Sequence, residues 1–523
     1  MRIKKLKLKN FRTYKEETIV EFGNLTTFVG KNDIGKSSIL EALDIFFNEG
    51  KGIIKIDPND VNKFENNDGN KEISISIVFD DLPDTLTIDA TNQTKLKDEY
   101  LLNSEGFLEI IKKYPNGGKE KVFIKAKHPK NPKCSELLLK KNNDLKRLLD
   151  ENQIKCNDKT RNAVIRKAIW EHYSNDLKLE EVEIDATKED AKNIWEQLKN
   201  YMPLYALFQS DRKNSDNDNE VQDPLKEAVK QILSNDELKR KFNEIATEVE
   251  KKLREVSKRT LDKLREMNSE IANSLNPVIP QADSLKWSDV FKNVSISGDD
   301  DIPINKRGSG VKRLVLLNFF RAESERRQQE KNVPNIIYGI EEPETSQHPE
   351  HQRMLIEAFK SLAQNNNTQI ILTTHSPAIV KLLKFEQLKL LKKEGEKVEI
   401  LNIEKNDLPY PSLNEVNFLA FGESDEEYHN ELYGYIESED KLKEFENEFK
   451  NDQSNIIKYK YFYKKGEEKE RDIILSEFIR HQIHHPENKL NPRFEFEQLQ
   501  ESIRKMRVFI RKNISASITN HNF

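Results

Sequence analysis

Apolar and polar positions alternate in the β manner over the first thirty residues: Ile3, Leu6 and Leu8, then Ile19 and Phe22, then the run Leu25–Val29 (LTTFV). This spacing predicts strands. Ser38–Phe47 (SILEALDIFF) reads as a helix, and Lys71–Phe79 (KEISISIVF) as another alternating strand. From about residue 85 to 200 the chain is rich in lysine and asparagine, with short periodic pieces whose order the pattern does not settle. Pro224 opens a helical stretch to about Asn276, in which Leu238, Phe242, Ile245, Val249, Leu253, Val256, Leu264 and Met267 mostly keep a three-or-four spacing. That predicts one buried seam, on a long helix packed against its own domain. Asn335–Ile340 and Gln369–Thr374 are short apolar runs separated by a helical pattern over Pro349–Ala363. Such β-α-β alternation belongs to a buried, largely parallel sheet. The α/β fold is therefore split, with its first part near the start, its second around residues 300–400, and an insertion between. The remainder reads as helices: 414–421, 426–437, 442–450, 469–485 and 494–511.

Composition narrows the class. At 523 residues, two or three domains are expected. With 34% charged and 36% hydrophobic residues, much of the chain must be surface-rich helix. A net charge of -5 gives no global argument for nucleic acid, so such binding would need a local basic face. No apolar run approaches the ~20 residues of a membrane span. The start, MRIKKL, lacks the apolar core of a signal peptide. Two cysteines, Cys134 and Cys156, argue for a reducing compartment. A cytoplasmic protein with no membrane contact is expected.

The chemistry begins at Gly30-Lys31-Asn32-Asp33-Ile34-Gly35-Lys36-Ser37, directly after the LTTFV run and directly before the helix that Ser38 opens. Glycines at this spacing let backbone N–H groups wrap a phosphate, the lysine reaches the β- and γ-phosphates, and the serine hydroxyl ligates Mg²⁺. The helix N-terminus adds its positive end. The implied ligands are ATP and Mg²⁺, with Gly30, Asn32, Gly35, Lys36, Ser37 and Ser38 as the cradle. Hydrolysis also needs an acid near the metal and a group that orients water. The strand 336–340 ends in Glu341-Glu342-Pro343-Glu344, at the sheet edge where ligands of open α/β sheets sit. By position Glu341 would face Mg²⁺ and Glu342 the water. One strand later, Thr374-His375-Ser376-Pro377 sets an imidazole at the same edge, able to bond a γ-phosphate or hold the water. Upstream, Lys306–Leu314 (KRGSGVKRL) offers Ser309 and Gly310 at a helix start, an anion site or a plain helix cap.

P-loop, Ser-Gly segment, acidic strand and Thr-His-Ser-Pro occur in this order in ABC-type ATPases of the SMC, RecF and Rad50 class, which the opening Leu8-Lys9-Asn10-Phe11-Arg12 also resembles. Glu341–Glu344 with His348-Pro349, and the His375 motif, are closer to the overcoming-lysogenization-defect (OLD) ATPases and their anti-phage relatives. The resemblance covers roughly residues 1–80 and 300–390. It implies that Lys36 and Ser37 bind phosphates and Mg²⁺, Glu341 supports the metal, Glu342 is the base and His375 the switch. It also implies that Ser309 and Gly310 complete the site of a second subunit, hence head-to-tail dimers. The signature reads RGSGVKR rather than LSGGQ, Glu341 stands where many relatives have Asp, and no glutamine loop is identified. The expected architecture is an ABC-type head in two parts (1–90 and 296–405), a mostly helical insertion (91–295) whose long helix or short coiled coil spans about 224–276, and an all-α C-terminal domain (406–523).

OLD nucleases carry a Toprim domain after the ATPase. Past His375 this chain shows neither its Asp-x-Asp nor its strand pattern. The tail offers Arg480 and His485 instead, an Arg-x4-His spacing similar to the motif of HEPN ribonucleases, in which imidazole moves the proton and guanidinium meets phosphate charge. A histidine-rich helix end stopped by Pro486 is the other reading. Arg504, Lys505, Arg507, Arg511 and Lys512 could dock a phosphate backbone or simply be solvated. The whole resembles the ATPase of two-gene Septu-type anti-phage systems, which implies a separate HNH nuclease as partner. A self-contained RNA-cleaving effector and a RecF-like repair ATPase are the rival readings.

Overall fold

The computed structural model describes residues 1–49, 52–64, 69, 71–89, 92–209, 232–233, 235–267, 335–345, 347–395, 397–403, 407–450, 456–463 and 467–515. In chain order the first strands are β1 (Arg2–Lys9), β2 (Thr18–Glu21) and β3 (Leu25–Val29), followed by helix α1 (Lys36–Asn48). Then come β4 (Glu72–Asp80), β5 (Leu86–Asp89), β6 (Asn92–Thr94), β7 (Leu108–Pro115) and β8 (Lys121–Pro129). Helices α2 (Asn142–Glu151) and α3 (Asn162–His172), β9 (Leu179–Asp185), α4 (Glu189–Lys199), β10 (Leu204–Phe208) and the long α5 (Asp236–Met267) follow. After them lie β11 (Ile336–Glu341), α6 (Pro349–Leu362), β12 (Thr368–Thr374) and the short α7 (Pro377–Val380). Two compact units emerge, one of Met1–Leu25 with Ser37–Leu372, the other of Thr26–Lys36 with Thr373–Phe523.

The first unit holds a six-stranded antiparallel sheet in the order β2-β1-β4-β7-β8-β9. Its register explains an irregularity of the sequence. Strict alternation would turn Ile3 and Leu6 to opposite faces, yet both are buried. A bulge between Ile3 and Lys5 absorbs the extra residue, so Ile3 meets Phe79, Leu6 meets Ile77 and Leu8 meets Ile75. The same unit holds the parallel pair β10–β11, with β12 next to β11. Gln369 of β12 ties to β1 twice: it accepts from Ile3 N at 2.7 Å and donates to Ile3 O at 2.9 Å.

One contact positions α1. Tyr205 of β10 donates its hydroxyl to Leu40 O at 2.8 Å and stacks on Phe47, ring centroids 5.9 Å apart. It lies across Gly339 of β11, where a Cβ would stand 2.1 Å from the Tyr205 hydroxyl. Only glycine leaves that space, and the N-terminal end of α1 is thereby fixed relative to the end of β11.

Several expectations need correction. Among the described residues the insertion carries five strands, β6 to β10, besides its helices; β7 and β8 pair antiparallel, Glu109 opposite Lys125 through Lys113 opposite Lys121. On α5 the described part of the expected buried seam is partly exposed: Ile245 and Val249 are 51% and 48% accessible, and Leu238 and Phe242 half-buried, while the side chains of Leu253, Val256, Leu264 and Met267 lie outside the described ones. The helix carries i,i+4 pairs Glu237–Lys241, Glu248–Lys252 and Glu250–Arg254 instead.

In the second unit, β3 pairs in parallel with β13 (Leu388–Glu394), and β13 pairs antiparallel with β14 (Lys397–Asn402). Helices α8 (Leu413–Phe421), α9 (Glu426–Ser438) and α10 (Leu442–Lys450) follow. The region after residue 406 is not all-α. A hairpin of β15 (Ile456–Phe462) and β16 (Glu468–Ile474) precedes α11 (Leu475–His484) and α12 (Phe496–Ile510). Ile456–Phe462 alternates, burying Tyr459 between exposed Lys458 and Lys460. Its partner EKERDII has no period of its own and takes strand form from pairing, with Lys458 and Glu470 3.1 Å apart across the ladder. Helices and hairpin share a core of Tyr428, Leu432, Phe445, Phe478, Ile503 and Met506. No helix among the described residues is long and apolar enough to cross a membrane.

Each unit buries a neutral imidazole. His429, in the second, lies 2.9 Å from Ser502 Oγ, and burial drives its pKa down to about 3; His128, in the first, is driven to about 4 by the same cause. Above pH 6.5 each is neutral in both the folded and unfolded chain. Below it the unfolded chain takes up a proton that the folded chain refuses, so stability falls as pH falls, by ~1.4 kcal/mol per unit and per imidazole. Hydrogen exchange of α12 amides should show this slope between pH 6.5 and 4, and His429→Gln should flatten it.

Candidate functional site

The phosphate cradle follows from backbone conformation. Gly30 (φ 154°), Asp33 (φ 60°) and Gly35 (φ 109°) all take positive φ, which turns successive N–H groups into one concavity. A Cβ on Gly30 would meet Leu391 O at 3.0 Å and Ile34 Cγ2 at 3.3 Å, so bulk there is excluded as well. Asn32 is exposed, while Gly35, Lys36 and Ser38 are buried. Lys36, the first residue of α1, curls over the loop and donates to Gly30 O at 2.7 Å and Lys31 O at 2.9 Å. Gly30 to Lys36 belong to the second unit; the next residue, Ser37, belongs to the first.

Within the first unit the decisive contact is Ser37 Oγ donating to Glu341 Oε1. It joins the P-loop hydroxyl to the carboxylate at the end of β11. Burial pushes the Glu341 carboxyl above the usual range; the Ser37 hydrogen bond opposes this, and the charges of Glu41 and Glu342 add to it. A hydroxyl and a carboxylate of this kind form a hard-oxygen donor pair suited to Mg²⁺, and a glycine-lined nest of N–H groups suits a phosphate chain. The residues present therefore fit ATP and Mg²⁺. Glu342 is half-buried at φ 42°, a left-handed conformation that costs a non-glycine residue of order 1 kcal/mol and concentrates at functional positions.

Sequence reasoning missed Gln209. The β10–β11 register sets Phe208 opposite Ile340, so the next residue, Gln209, falls beside Glu341. Its amide donates to Glu41 Oε1 at 3.2 Å. The available signal was a short apolar run, LYALF, closed by a glutamine. In the second unit, His375 lies just past the end of β12 with an exposed side chain, and Ser376 caps α7. Ser309 and Gly310 lie outside the described residues.

The tail residues are spoken for. Arg480 binds Glu437 at 3.1 Å and lies over the Tyr433 ring, whereas His485 faces Glu487 at 3.2 Å. Between them in sequence, His481 stacks on Tyr459 at 4.8 Å. The structure thus gives Arg480 and His485 separate partners. The basic residues of α12 and of the turn after it are paired within the unit: Arg504 and Lys505 with Glu501, Lys512 with Glu448, and both Arg507 and Arg511 with Asp407.

A family model described as AAA ATPase domain matches residues 1–380. Over 98 residues the chain is 32% identical to a protein named OLD nuclease from Thermus scotoductus; the stretch is 19% of this chain and 18% of that protein, so the chain covers less than two thirds of the relative. Among solved structures it is similar to an SMC head domain from Thermotoga maritima, at 13% identity, covering 77% of this chain and 100% of that one, TM-score 0.31. It is also similar to an Smc head domain with an extended coiled coil, bound to the C-terminal domain of ScpA from Pyrococcus furiosus, at 12% identity, 76% and 95% coverage, TM-score 0.37.

Asp407 is 2% exposed and holds two guanidiniums, Arg511 also through a 3.1 Å bond. Asp407→Asn leaves a buried Arg507 charge uncompensated. The expected loss is about 3 kcal/mol, at the low end for a broken buried pair because Arg511 is well exposed. Urea denaturation of the purified chain reads it.

Proposed function

Because the chain belongs to the AAA ATPase domain family and is an ATPase, we propose that Gly30–Ser37, Glu341, Glu342 and His375 form its hydrolytic site, and that hydrolysis serves anti-phage defence. The direct bond from Ser37 to Glu341 carries the assignment of the site. The P-loop N–H groups and Lys36 bind the phosphate chain; Ser37 and Glu341 hold the metal. Bound Mg²⁺ neutralises charge that develops on the phosphoryl oxygens. Glu342, next to Glu341 at the strand end, orients the attacking water and takes its proton. His375 senses the terminal phosphate. Ser309 and Gly310 would close the site of a neighbouring copy in a head-to-tail dimer.

The defence role is supported by the OLD-like acidic and Thr-His-Ser-Pro motifs and by the short match to a protein named OLD nuclease. By resemblance to two-gene Septu-type ATPases, the nucleolytic step belongs to a separate HNH-type subunit, which this ATPase controls. The engagement of Arg480 with Glu437 and of His485 with Glu487 favours a docking tail over an RNA-cleaving one.

Lys36→Ala should abolish binding of fluorescent ATP. Glu342→Gln should retain binding while lowering kcat by about 10²-fold or more. Wild-type binding in the first variant, or unchanged turnover in the second, removes the assignment. The partner is tested by co-purification with the product of a neighbouring nuclease gene; a lone chain that degrades RNA, and loses this with His485→Ala, overturns it.

A further inference from the structure

Behind Ser37 and Glu341 stands a line of polar contacts that the nucleotide assignment does not use. Glu41 lies four residues after Ser37 on α1, hence on the same face of the helix. Both of its carboxylate oxygens are engaged: Oε1 accepts from Gln209 at 3.2 Å, and Oε2 from Arg12 Nη1. Arg12 is held more tightly than a surface arginine needs to be. Its Nε donates to Asp60 Oδ1 at 2.8 Å, its backbone N–H to Asp60 O at 2.7 Å, and its carbonyl accepts from Asn62 Nδ2 at 2.6 Å. Asp60 is itself anchored, because its Oδ2 accepts from Asp57 N at 2.9 Å. Arg12 sits at φ 50°, a left-handed conformation that a non-glycine residue keeps only when its surroundings over-determine it.

The Gln209 amide donates to Glu41, and the β10–β11 register places Gln209 beside Glu341. The charges of Glu41 and Glu341 repel each other, and the guanidinium of Arg12 offsets that of Glu41. A lysine in its place would keep the charge but could not fork to Glu41 and Asp60 together.

We propose that Arg12 and Glu41 are positioning residues of the ATPase site: Arg12, anchored on Asp60, fixes Glu41, and Glu41 fixes the Gln209 amide beside Glu341. The proposal rests on the assignment of Ser37 and Glu341 to the metal. Partners of this outer kind orient a metal's direct ligands, and their loss typically costs 10–100-fold in metal affinity or activity.

The test uses the full chain, with ATP hydrolysis and fluorescent-ATP binding each followed over a Mg²⁺ series and binding repeated in EDTA. Glu41→Ala should raise the Mg²⁺ needed for half-maximal hydrolysis and for the Mg²⁺-dependent part of binding by about 10-fold. Affinity in EDTA should stay within about twofold, since the P-loop is untouched. Glu41→Gln, which keeps an acceptor for Gln209, should recover most of the loss. If Glu41 acts through Gln209, the pair Glu41→Ala and Gln209→Ala should be no worse than Gln209→Ala alone; additive losses overturn the proposal. Should Glu41→Ala not fold, Arg12→Lys serves: a raised Mg²⁺ requirement at an unchanged thermal midpoint supports positioning. A lowered midpoint with unchanged Mg²⁺ dependence marks a merely structural ion pair and overturns it. Failure of the site assignment itself looks different, because Mg²⁺ would then leave nucleotide binding by the parent chain unchanged.

Discussion

The hydrogen bond between Ser37 and Glu341 spans 304 residues of sequence, and the first unit is arranged so that it can form. A serine at the start of a helix and a glutamate at the end of a strand are each ordinary. Their meeting requires that the N-terminal end of α1 lie over the C-terminal end of β11. Tyr205 provides this by reaching across Gly339 to a main-chain carbonyl of α1. A side chain at residue 339 would push that tyrosine away, and the serine with it. Because β10 runs parallel to β11, both strands end at one edge, and whatever follows each strand shares the same small volume. Gln209, Glu341 and Glu342 are grouped by that rule.

How much of this was legible in the sequence depends on how local the cause is. The P-loop was legible because phosphate recognition needs glycines, lysine and serine within eight consecutive positions, and both flanking elements carry strong periods. The strands at 336–341 and 368–374, and helices such as 442–450, were legible for the same reason. Gln209 was not. Its place follows from the register of a five-residue strand with a partner more than a hundred residues on, and no local pattern encodes that pairing. The hairpin of β15 and β16 was missed likewise, since the charged strand EKERDII becomes a strand only against IIKYKYF. Burial on α5 could not be read from spacing either, as three-or-four periodicity says which residues share a face and not whether anything covers it.

Charge shows the same limit. Clustered lysines and arginines on and just after α12 read from sequence as a possible backbone-binding stripe, yet each meets an acid of its own unit, two of them the single buried Asp407. Side chains already paired this way must break a contact before they can neutralise a phosphate. A chain with 86 basic and 91 acidic residues has ample means for such internal pairing, so neither net charge nor local basic density measures an external surface here.

The identity of residue 341 shapes how Ser37 is met. The resemblance to ABC-type ATPases implies aspartate at that position. Glutamate adds a methylene and one more rotatable bond, so its carboxylate reaches the Ser37 hydroxyl directly, and it also has more conformations to lose when it is fixed. A longer acidic arm therefore needs more outside support than a shorter one. Ser37 restrains it directly, Gln209 stands beside it in the β10–β11 register, and the contacts of Glu41, Arg12 and Asp60 run from Gln209 into the turn after β1. The opening motif of the chain, remote from the phosphate cradle in sequence, thereby becomes part of what fixes the acid at the end of β11.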